Sequence, residues 1–149
     1  MIDFRATHTE DLERLMELVA QAQARFRRAG IDQWQDGYPT RAIFEADIEA
    51  QNSYVGEVKG RILLSGCLSF DGEPTYAQIY EGSWLNDKPY GVVHRLMVAD
   101  EALRQGYAEA FMRHSLAICQ ERGVGQMRID TEPRFMLTII FEKGGTMDV

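Results

Sequence analysis

The segment that most constrains this chain is Tyr90–Arg122. There the apolar run "YGVVHRLMV" gives way, through "ADEALRQG", to an amphipathic stretch that begins "YAEAFM". The first part has the β-branched, continuously apolar character of a buried strand. The second carries Ala108, Phe111, Met112, Leu116 and Cys119 on one helical face, with Gly123 placed to close it. A strand feeding a helix in this way points to a layered α/β architecture. The junction also has a chemical meaning. The first-turn amides of a helix have no partners within it, and the helix dipole favours negative charge there. Gly106 lets a ligand approach the backbone and Ala108 keeps the next contact narrow, so a pyrophosphate is a suitable guest. A plain helix start is the competing reading of the same residues.

The remaining elements extend the layer. "IDFRAT" alternates as a short strand, and Thr7 and Glu10 have capping-box spacing. Leu12, Leu15, Met16, Val19 and Ala20 then recur on one helical face, and this helix should end near Gly30. "DQWQDGYPT" is a turn-rich connection and "RAIFEADIEA" a second, shorter helix. "SYVGEVKGRILLSGCLSF" reads as a hairpin turning at Lys59-Gly60, and "QMRIDT" as a further strand after the long helix. Pro133 is placed to open a final helix bearing Phe135, Met136, Ile139 and Ile140, with Gly144 to stop it. The predicted order is β-α-α-β-β-β-α-β-α, a mixed α/β sheet in one domain over residues 1–149.

Composition narrows the function. A formal charge of −7 argues against general nucleic-acid binding, because polyphosphate backbones need a basic surface. No apolar run reaches the roughly 18 residues of a membrane span. The opening "MIDFRATHTEDL" lacks a secretory signal pattern, so no membrane association and a cytoplasmic location are expected. Cys67 and Cys119 are isolated, which suits buried free thiols, and without a Cys or His cluster no metal site is expected.

The element order, with the segment "VVHRLMVADEALRQGYAEAFMRHSLAICQERGVGQMRIDT", resembles the GNAT superfamily of N-acetyltransferases over essentially the whole chain. The stretches "DQWQDGYPT" and "EGSW" also resemble a bacterial subgroup whose acceptor is unassigned. The family motif Gln/Arg-x-x-Gly-x-Gly/Ala, which binds the pyrophosphate of acetyl-CoA, falls on Leu103-Arg104-Gln105-Gly106-Tyr107-Ala108. Leu103 departs from the motif's leading residue, and Arg104 is placed to supply phosphate charge instead. The resemblance implies acetyl-CoA as cosubstrate and an amine acceptor. It further implies that the backbone of Leu96, Met97 and Val98 lies along the pantetheine arm, with an amide near Val98 polarising the acetyl carbonyl.

Acetyl transfer to an amine needs a proton acceptor, a donor for the tetrahedral oxyanion and a proton for the departing thiolate. His94 is the candidate base: straight-strand alternation puts it on the same face as Val98, and an ordinary imidazole titrates near neutrality. A packing role within the strand layer is the competing reading. Glu81 is the second candidate, against a solvated carboxylate at a turn. The resemblance aligns Phe141 with the family's usual tyrosine acid and Arg134 with its asparagine, and Phe141 cannot donate a proton. Trp34, Tyr38 and Trp84 are aromatic wall candidates for the acceptor, against ordinary packing under a loop.

GNAT proteins normally finish with two more strands, whereas only "TMDV" follows Gly145. The expectation is a shortened C-terminus that leaves a sheet edge open, which favours a homodimer. Leu103, Phe141 and the short end also support a second function, a non-catalytic acyl-CoA-binding or interaction module on the same scaffold.

Overall fold

The computed structural model describes residues 1–32, 34–70, 90–132, 135–141 and 147–148. Strand β1 (Asp3–Ala6) leads through a 3-10 turn into helix α1 (Leu12–Arg28), followed by α2 (Arg41–Glu49). The hairpin β2 (Ser53–Val58) and β3 (Arg61–Ser69) turns at Lys59 and Gly60, both at positive φ. Then come β4 (Gly91–Val98), α3 (Tyr107–Glu121), β5 (Gln126–Glu132), β6 (Phe135–Phe141) and β7 (Met147–Asp148). The strands lie in one sheet in chain order. Among the described residues only the β4–β5 pair is parallel, and α3 supplies the crossover that a parallel pair requires.

The central strands of the sheet are covered on both faces. Leu12, Leu15, Leu18 and Val19 of α1 and Phe44 of α2 pack with Val55 and Met97. On the other face Phe111, Leu116 and Cys119 of α3 pack with Leu64, Leu68, Val93, Met127 and Ile129. Gly66 permits that second contact: a Cβ there would stand 2.6 Å from the Phe111 ring.

The entry to α1 departs from the expected capping box. Thr7 turns away to bond Ser53, Oγ1 to Oγ at 2.7 Å. Asp11 does the capping, accepting from the His8 amide at 2.7 Å, and it also pairs with Arg5 at 2.8 Å. The cap of α2 is Thr40, whose hydroxyl accepts from the Ile43 amide.

One predicted element changes type. Residues Phe135–Phe141, expected on a final helix, form β6, which pairs antiparallel with β5 in a register that sets Met127 opposite Ile139. The physical reason lies in "FMLTIIF" itself. Seven continuous residues fit either period, and the β-branched Thr138, Ile139 and Ile140 favour the pleated surface that β5 offers. The sheet therefore continues past β5 through β6 to β7, so β5 is not the open edge on which the homodimer expectation was built. Among the described residues no helix is long and apolar enough to cross a membrane.

Candidate functional site

The site forms where β4 leaves β5. The two strands pair only at Gly91–Met127, Val92–Arg128 and Val93–Ile129. Beyond Val93, β4 continues, among the described residues, against β3 alone. The β3–β4 register there runs Cys67↔His94 and then Ser65↔Met97, so β4 spends one more residue than β3 on the same span. That bulge contains Arg95 at φ +52, a left-handed backbone that costs a non-glycine residue about 1 kcal/mol or more. Past it the Ala99 amide bonds the Leu63 carbonyl at 2.8 Å. Alternation then turns the peptide groups of Leu96 and Val98 away from β3, toward the opening beside β4, while those of Met97 face β3. The Val98 carbonyl accepts from Arg25 Nη2 of α1 at 3.1 Å, and the same guanidinium pairs with Asp100.

The strand then runs into the glycine junction. A 3-10 turn at Asp100–Ala102 is followed by Leu103, Arg104 at φ +63 and Gly106 at φ +81, the residue that caps α3. The first bond of the helix joins the Ala110 amide to the Gly106 carbonyl, so the amides of Tyr107, Ala108 and Glu109 lie ahead of the ladder. A Cβ at Gly106 would meet nothing within 4 Å. Conformation, not packing, thus calls for glycine here. Arg104 and Gln105 are exposed, and Leu103 is 39% exposed although apolar. Tyr107 packs against both hydrophobic clusters, which accounts for its ring at the helix start.

On the α1–α2 face stand the residues expected at the acceptor side. His94 is 5% exposed, and its Nε2 has no hydrogen-bond partner among the described residues. Burial, with the neighbouring Arg95 charge adding to it, pushes its pKa down to about 3, so the imidazole is neutral at working pH. The bulge also moves it. His94 shares a face with Cys67 and Val98 with Leu64, and Cys67 and Leu64 are three apart on β3, so the two β4 side chains lie on opposite faces. The expectation that His94 and Val98 share a face is corrected by that one extra residue.

Arg95 and Asp47 had no place in the sequence reading. Arg95 Nε donates to Asp47 Oδ2 at 2.9 Å and Nη2 to Oδ1 at 2.6 Å, with both side chains only 12% exposed. Arg95 Nη1 donates to the Tyr38 hydroxyl at 3.0 Å, which brings the α1–α2 connection to β4. The available signal was a carboxylate on the buried stripe of α2, at Phe44, Asp47 and Ile48. Trp34 lies edge-on to Phe26 at 5.5 Å and to Tyr38 at 6.2 Å, and it packs against the α1 core as an anchor of the connection. Cys67 and Cys119 are buried free thiols, pushed up by burial to about 12 and about 11. Glu81, Trp84 and Arg134 lie outside the described residues. Among the described residues no group of three or more His, Cys, Asp or Glu side chains is placed to hold a metal.

The chain as a whole resembles known proteins in both sequence profile and fold. The sequence profile described as "Acetyltransferase (GNAT) family" matches residues 13–135. A GNAT-family acetyltransferase from Streptococcus agalactiae superposes with a TM-score of 0.76 at 27% identity, covering 89% of this chain and 77% of that one. A predicted acetyltransferase from Clostridium acetobutylicum, solved with acetyl-CoA, has a TM-score of 0.60 at 14% identity, covering 89% and 82%. N-acetylglutamate synthase from Neisseria gonorrhoeae, solved with coenzyme A and N-acetyl-glutamate, shares the fold over 87% of this chain and 25% of its own length, with a TM-score of 0.61 at 16% identity. Among curated proteins none matches. Profile and fold agree, and the chain belongs to the GNAT family of acetyltransferases.

Proposed function

We propose that this protein transfers the acetyl group of acetyl-CoA to a primary amine of a small molecule or a peptide. The observation that carries the reading is the free edge of β4 running into the left-handed Gly106 and the open first turn of α3. That turn suits a pyrophosphate, since it combines unpaired amides, the positive end of the helix dipole and the exposed Arg104. Leu103, Gln105, Tyr107 and Ala108 complete the cradle. The outward peptide groups of Leu96 and the outward amide of Val98 suit an amide-bearing pantetheine arm, and Met97 backs that strand from the core.

In the transfer the acceptor nitrogen forms a bond to the thioester carbon, and the C–S bond then breaks. The amine proton goes to a base, and the leaving thiolate takes one proton. The Val98 amide is the candidate oxyanion donor, a contact that matters more in the transition state than in the ground state. His94 is the candidate base on the α1–α2 face. It is neutral, and its buried Nε2 has no partner among the described residues, which suits a proton acceptor, though its lowered basicity limits the driving force. Glu81 remains the alternative base. Tyr38 stands at the acceptor side, and Trp34 and Trp84 are its further wall candidates. The buried free thiols suit a reducing compartment, the cytoplasm.

Coenzyme A release, followed with a thiol reagent across a panel of amines, tests the reading. Turnover with any amine supports it. Acetyl-CoA that binds and raises Tm without thiol release across the panel supports the alternative, a non-catalytic acyl-CoA-binding module.

A further inference from the structure

We propose that Asp47 and Arg95, with the Tyr38 hydroxyl, form a clamp that holds the left-handed turn in β4 and thereby selects which peptide groups face the cofactor. Asp47 and Arg95 are then positioning residues for acetyl transfer. The inference rests on the reading of β4 as the strand that binds acetyl-CoA.

The argument begins with the extra residue. Arg95 adopts φ +52, a conformation disfavoured for any side chain with a Cβ, so the surroundings must hold it there. A relaxed, extended Arg95 would remove the bulge and slip the end of β4 by one position against β3. Because strand groups alternate, that slip would turn the peptide groups of Leu96 and Val98 toward β3 and those of Met97 toward the gap. It would also drive Met97 out of the α1 core. The clamp acts at the residue that would have to move. A guanidinium fork bound through two nitrogens to one carboxylate fixes its plane as well as its distance. The carboxylate comes from α2, whose Phe44 is seated in the core, so the anchor is rigid. The third contact, to Tyr38, ties the α1–α2 connection to the same guanidinium. Largely buried ion pairs add little net stability compared with apolar replacements. Register, rather than stability, is the property such a pair can best specify.

The test uses Asp47→Asn, which keeps the shape, Arg95→Ala, which removes the guanidinium and leaves a Cβ strained at φ +52, and Tyr38→Phe, which removes only the hydroxyl. Affinity is measured for acetyl-CoA and for 3′-phosphoadenosine 5′-diphosphate, the part of the cofactor that reaches the cradle but not β4. In Asp47→Asn and Arg95→Ala, acetyl-CoA affinity is expected to fall about tenfold or more, the scale of one or two lost hydrogen bonds. The nucleotide should bind as it does to the parent protein, and Tyr38→Phe should lie between. Hydrogen exchange should accelerate over residues 95–98 and not over α3. Equal loss of both ligands, unchanged affinity for both, or exchange that rises uniformly along the chain would overturn the clamp. If the parent binds the nucleotide and acetyl-CoA equally well, β4 does not hold the pantetheine arm. The functional reading then fails on its own, and the exchange pattern decides whether the clamp holds the bulge.

Discussion

His94 and Val98, four residues apart on β4, present their side chains to opposite faces of the sheet, because the bulge at Arg95 inserts one residue between their partners Cys67 and Leu64. The proposed oxyanion donor, the Val98 amide, lies in the plane of the sheet and points away from β3, whereas the proposed base lies on the α1–α2 face. On the proposed reading the base therefore takes the amine proton from the α1–α2 side, while the amide stabilises the oxyanion from the strand edge.

His94→Gln is expected to lower kcat about 100-fold or more with acetyl-CoA affinity unchanged, the usual scale of base catalysis. The pH profile departs from what an ordinary histidine would give. With its pKa pushed down to about 3, His94 contributes no limb near neutrality, and between pH 6 and 8 its state is constant. Initial rates across pH 5–9 check both points. A folded His94→Gln protein that keeps most of its activity assigns His94 to packing and transfers the base role to Glu81 or water.

The same burial links His94 to stability. Its folded pKa lies below its unfolded value, so the unfolded chain binds the extra proton. Its contribution is therefore complete above about pH 6.5 and is lost as pH falls toward 3. The slope from one such group is at most about 1.4 kcal/mol per pH unit. Urea unfolding at pH 7, 6 and 5 should show a steeper decline for the parent than for His94→Gln. Parallel declines would mean that the imidazole is not buried in the neutral form.

Gly106→Ala should weaken acetyl-CoA about tenfold or more, because a side chain at φ +81 strains the turn and shifts the amides that meet the pyrophosphate. Gly30→Ala is the control, since Gly30 also has positive φ with nothing within 4 Å, at the far end of α1. The strain should cost each variant about 1 kcal/mol, read as a similar drop in Tm. Calorimetric titration should find weaker binding in Gly106→Ala only, and equal weakening would show the cradle to be misplaced.

Charge offers an independent check of the cradle. Arg104→Glu should weaken acetyl-CoA more than Glu13→Lys on α1, and the difference should shrink as salt is raised. Equal effects at low salt would remove Arg104 from the phosphate contact.

Gly66→Ala should destabilise by about 1–3 kcal/mol through overpacking, because its Cβ would lie 2.6 Å from the Phe111 ring. Phe111→Leu makes room, so the double variant should lose less than the sum of the two single losses in denaturant unfolding. Additive losses would mean that the ring moves aside freely.

Periodicity was enough for α1, α2 and α3, since an amphipathic stripe on a helix is a local property of the residues that make it. The Gly106 junction was also legible, because a glycine ahead of a helical stripe carries its own conformational meaning. Residues Phe135–Phe141 were not, because a seven-residue run in which all but Thr138 are apolar satisfies both periods and pairing with β5 decides between them. The Arg95–Asp47 pair joins residues 48 apart, and no local pattern announces it. The bulge depends on that pair and on the β3 register, so the face to which His94 points was settled only when the chain closed on itself. Local sequence specified which elements could form, because propensity and patterning act over a few residues. The tertiary contacts decided how β4 is registered, because a slip of one residue changes little locally and reverses every group across the sheet.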